Sequence, residues 1–464
     1  MKRALKNLSY SFIANMLNML VSVIVILLIP KFWGEEAYGY YQLYLFYVSY
    51  VGFFHLGWLD GIYLRIGGKE YSHLDGKLYS CQFWILTGVS VIVAIVLSAI
   101  SDIYIEDINK QFVIYMTCIC LVLFLTRTFL VYIFQATNRI KEYAKVIISE
   151  KVVFILILAV FLLIHNREFK FLVYADLLGK AVSLIIAILY GRAIIFQKIK
   201  QVKNAIIEIY TNISVGCKLM IANIASMLII GIVRLAIEAN WDIVTFGKIS
   251  LSLSVSNLLI SFITAISVVV FPLLNRVNDE KKMDIYNMIK SLLMPCMFLV
   301  LVFYYPMQSI LGKLLPVYRE SLRYLAIMFP VCIFECKMAV LNNTYLKVFR
   351  KEKQILYINI ITVGMSILMT GITVYLLKSL ELAIGGIVLL VAFRNYLSEI
   401  VLKNSLKCFF FKDALWEIFL SVIFMLSSWY INGWLSMIIY GVCFVGYCLY
   451  YKSDIVNSIK MVEQ

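Results

Sequence analysis

The sequence is short of charge. Only 15% of its residues are Asp, Glu, Lys or Arg, against 62% that are hydrophobic, whereas a soluble domain carries about 25% charged residues. There is too little polar surface here to coat a soluble globule. Histidine is scarcer still: His55, His73 and His165 are the only three, far apart and without zinc-ligand spacing. The ten cysteines include no CxxC pair. They sit mostly inside apolar runs and read as small buried residues rather than as a disulfide framework. Walker A and GxSxG motifs are absent, no catalytic constellation appears, and no cofactor or metal is expected. The chain reads as a non-enzyme. It also lacks the ten-residue alternating segments of a membrane β-barrel.

What it has is long apolar runs. Mean hydropathy is +0.90, and many runs approach the roughly 20 residues that a bilayer-spanning helix needs. Fourteen candidate spans fall at about 8–30, 39–64, 79–100, 111–135, 146–165, 171–196, 213–238, 246–274, 288–311, 322–346, 355–377, 382–407, 414–431 and 433–452. Each is expected to be a helix, because backbone groups in lipid have no water to bond. The N-terminal run is too long for a signal peptide and no cleavage site follows it, so it reads as the first span. With both termini cytoplasmic, the inner loops receive basic clusters such as "RIKEYAK", "QKIKQVK" and "FRKEK". About 27 Lys/Arg then lie inside and about 8 outside, which fixes that orientation. The net charge of +15 is that of a basic integral membrane protein, and no nucleic-acid partner is expected.

Residues 13–20, "IANMLNML", return at 221–228 as "IANIASML", 208 positions on. In the same register Asn15 meets Asn223, Trp33 meets Trp241 and Gly39 meets Gly247. Coincidence is the alternative, but an internal duplication accounts for these matches better. Spans 1 and 7 start on the same side, so the repeats are parallel, an arrangement transporters use with the pathway between the halves. The expected organisation is an N-terminal six-helix lobe (1–205), a C-terminal six-helix lobe (206–408), then spans 13 and 14 with a cytoplasmic tail (409–464).

Polar side chains form stripes at helical spacing. Span 1 aligns Asn7, Ser11, Asn15, Asn18 and Ser22; span 8 aligns Ser250, Ser254, Asn257, Ser261 and Thr264; span 7 gathers Asn223, Ser226, Arg234 and Glu238; span 2 aligns Gln42, Ser49 and Asp60. Interhelical hydrogen bonding in a dry bundle competes with a cavity lining. Charges inside spans cost about 2.5–3.5 kcal/mol each on insertion scales and usually face a cavity or a partner. Asp176 and Lys180 pair at i, i+4, as do Arg234 and Glu238. Arg127 and Arg394 have no carboxylate three or four positions away. An arginine fork suits phosphate oxygens, so Arg127, Arg394 and Arg234 are the cavity candidates, with Asn15, Asn223, Ser254, Asn257, Ser261 and Asp60 beside them. Glu238 is the candidate for binding a coupling ion. His55 falls on the opposite face of span 2 from Asp60, so no dyad is expected there. The tyrosines of "YGYYQLYLFYVSY" read as an interfacial aromatic belt or a sugar-stacking surface.

The fourteen spans, the parallel duplication and the segment "GYYQLYLFYVSYVGFFHLGWLDGIYLRIGGKEY", with Gly39, Leu56-Gly57, Asp60-Gly61 and Arg65, resemble the Wzx-type polysaccharide flippases. These belong to the multidrug/oligosaccharidyl-lipid/polysaccharide exporter superfamily. The resemblance implies that an undecaprenyl-pyrophosphate-linked oligosaccharide is moved across the bacterial inner membrane for O-antigen, capsule or lipopolysaccharide assembly. It further implies two lobes around a basic cavity that opens alternately to each side, with polymerase and chain-length proteins as partners beside membrane lipids; H+ or Na+ coupling is expected on separate grounds, since an empty basic carrier must be reset against the membrane potential. Lipid II flippases of the superfamily carry arginine in span 1, and this span has none after Lys6, which favours a surface-polysaccharide carrier. A drug or cation antiporter and a glycan polymerase or ligase are the alternatives. The first should carry a carboxylate in span 1, and the second a large outer loop.

Overall fold

The computed structural model describes residues 2–199, 202–274, 279–406, 411–431 and 433–463. The side chains of Asn7, Ser11, Asn15, Asn18 and Thr264 lie outside the described residues. Among the described residues all regular structure is helical: α1 (Lys2–Trp33), α2 (Glu35–Val51), α3 (Trp58–Ile66), α4 (Gly76–Tyr104), α5 (Ile108–Ala136), α6 (Ile140–Leu163), α7 (Phe169–Ile195), α8 (Val202–Asn240), α9 (Ile243–Leu274), α10 (Asp279–Val302), α11 (Tyr304–Leu314), α12 (Arg319–Met328), α13 (Val331–Lys337), α14 (Asn343–Val348), α15 (Glu352–Thr370), α16 (Leu380–Leu406), α17 (Phe411–Tyr430), α18 (Gly433–Tyr450) and α19 (Lys452–Glu463). Each of the fourteen apolar segments is occupied by one helix or by consecutive helices.

Ten helices are long and apolar enough to cross a membrane, or eleven if the bent pair Pro316–Met328 and Val331–Val348, at 44°, is one span. Their outward faces are apolar, as a lipid solvent demands. On α4, Ile92 and Ile95 are 63% and 62% exposed, an arrangement that would be costly in water. Aspartates start several helices. Asp75 accepts from the amides of Lys77 and Leu78, and Asp107 from those of Asn109 and Lys110, satisfying donors that a helix start leaves open. Asp242, in the connection between α8 and α9, accepts from the Thr245 amide at 2.8 Å. Bonds from the Thr245 side chain and backbone hold its carboxyl below the ordinary range. Helix α2 begins at Glu35 and α9 at Ile243, the spacing of the sequence repeat.

The second segment departs from expectation. It is not one helix: α2 ends after 17 residues, a 3₁₀ turn covers Gly52–His55, and Leu56 (φ 53°) and Gly57 (φ 82°) take left-handed backbone before α3. A π turn at Met338–Asn342 interrupts a later segment, and another at Gly371–Leu376 ends the segment of α15.

The chain forms two compact units, Met1–Ile224 and Ala225–Gln464. In the first, Trp58, Leu59, Ile62, Phe83, Phe129 and Phe134 centre a core built by α3, α4, α5 and α7. There α3 crosses α8 in backbone contact. A β-carbon on Gly57 would lie 2.5 Å from the Cys217 nitrogen, one on Gly61 would overlap the Asn212 carbonyl, and one on Gly216 would overlap the Gly57 carbonyl. Only glycine permits this approach. Polar bonds close the crossing. Arg65 pairs with Glu208 and donates to Asn212 Oδ1 at 2.7 Å, while Gln82 Oε1 accepts from Trp58 Nε1 at 3.0 Å and from Asn212 Nδ2 at 3.2 Å. In the second unit, Ile229, Val233, Phe334, Ile384 and Val391 pack together. A second cluster there gathers Tyr286, Leu341, Tyr345 and Leu402.

Candidate functional site

Each unit holds a buried cluster of charge around one of the two deep arginines. In the first unit Arg127, on α5, is 6% exposed and pairs with Glu150 of α6. Its Nη1 also lies 3.4 Å from Ser183 Oγ of α7. Lys151 sits 3.0 Å and Lys180 3.9 Å from the other Glu150 oxygen. Lys180 also pairs with Asp176, which accepts from Tyr44 OH at 2.7 Å. Three cations thus share two carboxylates, and the cluster carries one net positive charge. Gly179 makes room for it: a β-carbon there would lie 2.8 Å from the Glu150 carbonyl.

In the second unit Arg394, on α16, is 3% exposed. Its Nη2 donates to Glu335 Oε2 at 2.7 Å and its Nη1 to Ser226 Oγ at 3.0 Å. The side chain of Glu335 is 24% exposed, so this pair reaches an accessible surface. Neither arginine is the isolated cation that local spacing indicates, since each meets a carboxylate from another helix. Even so, the Nε of each has no partner among the described residues. The two differ in what each holds: without Arg394, Glu335 would have no cation beside it among the described residues, whereas without Arg127, Glu150 would still face Lys151 and Lys180.

The remaining candidates are dispersed. Arg234 is half-buried, donates to Ser250 Oγ at 2.9 Å and lies over the Phe246 ring at 5.2 Å. Glu238, one turn on, is half-buried, while Asn223 and Asn257 are exposed. Two serines of the α9 stripe turn back on their own helix: Ser254 Oγ donates to the Ser250 carbonyl and Ser261 Oγ to that of Asn257, both at 2.8 Å. Such bonds place the hydroxyl's donor on its own helix. Asn15 lies outside the described side chains.

Asp60 requires a correction. His55 Nε2 lies 3.8 Å from Asp60 Oδ2, so the two are neighbours rather than on opposite faces. The break between α2 and α3 turns the chain, and a continuous-helix projection fails across it. The Nδ1 of His55 accepts from the Gly57 amide at 3.0 Å, tying the ring to the break itself. The buried Glu150 and Glu417 and the half-buried Lys151 are charged groups that sequence reading missed. They lie in the first turns of their spans, where a charge passes for a loop-end residue. No cluster of three or more His, Cys, Asp or Glu gathers to hold a metal ion among the described residues.

Comparison with known proteins agrees with this architecture. Residues 4–278 match the family model described as polysaccharide biosynthesis protein, well over half of the chain. No curated protein matches the sequence. Among solved structures, the lipid II flippase MurJ in an inward closed conformation superposes with a TM-score of 0.68 at 13% identity, covering 97% of this chain and 100% of that one. An inward-facing multidrug resistance MATE family transporter of the MOP superfamily superposes at 0.59 with 10% identity, covering 84% and 96%. A MATE transporter in complex with MaD5 gives 0.52 at 13% identity, covering 85% and 95%. At these identities the likeness is one of fold. The two findings together place the chain: it is a multi-pass membrane protein that belongs to the polysaccharide biosynthesis protein family and has the all-helical fold of MOP-superfamily transporters.

Proposed function

We propose that the chain flips an undecaprenyl-pyrophosphate-linked oligosaccharide repeat unit from the inner to the outer leaflet of the bacterial cytoplasmic membrane, by alternating access, in surface-polysaccharide assembly. The family match over residues 4–278 carries this reading. The chemistry of the buried clusters supports it. A diphosphate asks for cations inside the membrane, and the Arg127 cluster holds one net positive charge within the bundle. Arg394 sits in a pair that is partly accessible through Glu335. We further propose that both termini are cytoplasmic and that the protein moves its cargo without altering it covalently. The test is flipping of a fluorescent undecaprenyl-pyrophosphate oligosaccharide in proteoliposomes, read by accessibility to a membrane-impermeant quencher or lectin. Protein-dependent transfer is the expected result. Transport of organic cations with no transfer of the lipid-linked glycan would replace this reading with that of a drug antiporter.

A further inference from the structure

A second charged centre lies in the second unit, away from the Arg394 pair. Lys337 of α13 is 1% exposed and bridges two carboxylates, Glu399 of α16 at 2% and Glu417 of α17 at 4%. The Glu417 oxygens stand 2.6 Å and 2.8 Å from Lys337 Nζ. One ammonium between two carboxylates leaves a net negative charge inside an apolar bundle, where an uncompensated charge is expensive. In the Arg127 cluster the imbalance has the opposite sign.

Glu417 also forms part of the wall of a cavity of about 400 Å³. Among the described residues the other charged groups on that wall are Asp284, Asp413 and Asp454, against one cation, Lys290, which pairs with Asp413. Tyr451 OH donates to Asp413 Oδ1 at 2.5 Å. In a chain of net charge +15, this is a locally acidic vestibule, of the kind that concentrates small cations. Ser421, one turn beyond Glu417 on the same helix, is 3% exposed, and its hydroxyl has no partner among the described residues. Among the described residues, the buried Tyr286 and the wall residue Tyr447 are further ionisable groups around Glu417.

We propose that Glu417 and Glu399, bridged by Lys337, form a proton-binding site filled from this acidic cavity. A hydronium in the cavity gives its proton to a Glu417 carboxylate oxygen and leaves as water. The second carboxylate keeps the lysine paired, and the triad becomes neutral. The core of this unit then exists in an anionic and a neutral form, and a membrane potential or pH gradient can act on the difference. The inference rests on the carrier reading only for that last consequence, since proton binding needs no cargo.

The experiment is infrared difference spectroscopy of the full-length protein in lipid nanodiscs, titrated with acid and base in the absence of glycan. Wild type is expected to show the C=O stretch of a protonated carboxyl, sensitive to D₂O, that comes and goes along a one-proton curve. E417Q and E399Q should each abolish it, because one lysine facing one carboxylate is already neutral. E399Q stands in should E417Q fail to fold. A missing band in wild type, a band retained in both variants, or a band lost at fixed pH in excess Na⁺ would each overturn the proposal. None of these bears on flipping, whereas a band that behaves as expected in a protein that moves no lipid-linked glycan would count against the carrier reading alone.

Discussion

Replacing Gly61 by alanine sets a methyl group against the main chain of Asn212, and replacing Gly216 sets one against the Gly57 carbonyl. In both cases the obstacle is backbone, which cannot swing aside as a side chain does. In an open stretch of helix the same change is favourable by about 0.5–1 kcal/mol, because alanine loses less entropy than glycine. Gly88 on α4 is such a position, with nothing within 4 Å of the added carbon. Overpacking a closed site costs about 1–3 kcal/mol and occasionally more, and a backbone obstacle belongs at the upper end. G61A and G216A should therefore each be less stable than G88A by roughly 3 kcal/mol or more. Thermal unfolding in one fixed detergent, followed by tryptophan fluorescence, reads the difference, and Trp58 at the crossing is a local reporter. If G61A and G216A melt at or above G88A, the backbone contact between α3 and α8 is not what holds this part of the unit.

The arginines give a second expectation. R127A and R394A should each remove surface glycan, the first because it takes away the net positive charge of its cluster, whose Glu150 keeps Lys151 and Lys180, the second because it leaves the partly exposed Glu335 without its arginine, while R394K keeps part of it. Normal glycan display in both alanine variants would take these residues out of the mechanism. Cysteines introduced at either terminus, or near Lys281, should be labelled only from the cytoplasmic side, and external labelling would reverse the topology. E238Q tests the stripe of Arg234: retention of every gradient dependence in vesicles would assign Glu238 a structural place beside the arginine, whereas loss of that dependence in a well-folded protein would make it an ion-binding group.

Much of the architecture was legible because a bilayer leaves the backbone few options. Every long apolar run had to be a helix, and the helices lie where the runs are. Side-chain partnership was less legible. The stripe of Ser250, Ser254 and Ser261 is plain in its spacing, yet spacing does not say that two of these hydroxyls bond to their own helix. Arg127 and Arg394 read as isolated because local spacing shows only neighbours one turn away. Glu150 and Glu335 reach them from other helices, and interhelical adjacency leaves no trace in local periodicity. His55 and Asp60 were separated by a projection that assumed one unbroken helix, although Gly52 and Gly57 marked the place where that assumption fails.

The π turn at Met338–Asn342 has a similar bearing on how this chain is compared with others. A π turn takes in one residue more than an α turn. Side chains beyond it are therefore out of phase, by roughly 100°, with a wheel drawn through from the start of the segment. Glu335 and Lys337 belong to one phase, Asn342 and Asn343 to the next. A relative one residue shorter at this point would present the same two faces through an uninterrupted α-helix. An alignment that set the gap elsewhere in the span would mispair either the residues around Lys337 or Asn342, which donates to Asn395 Oδ1 at 3.1 Å.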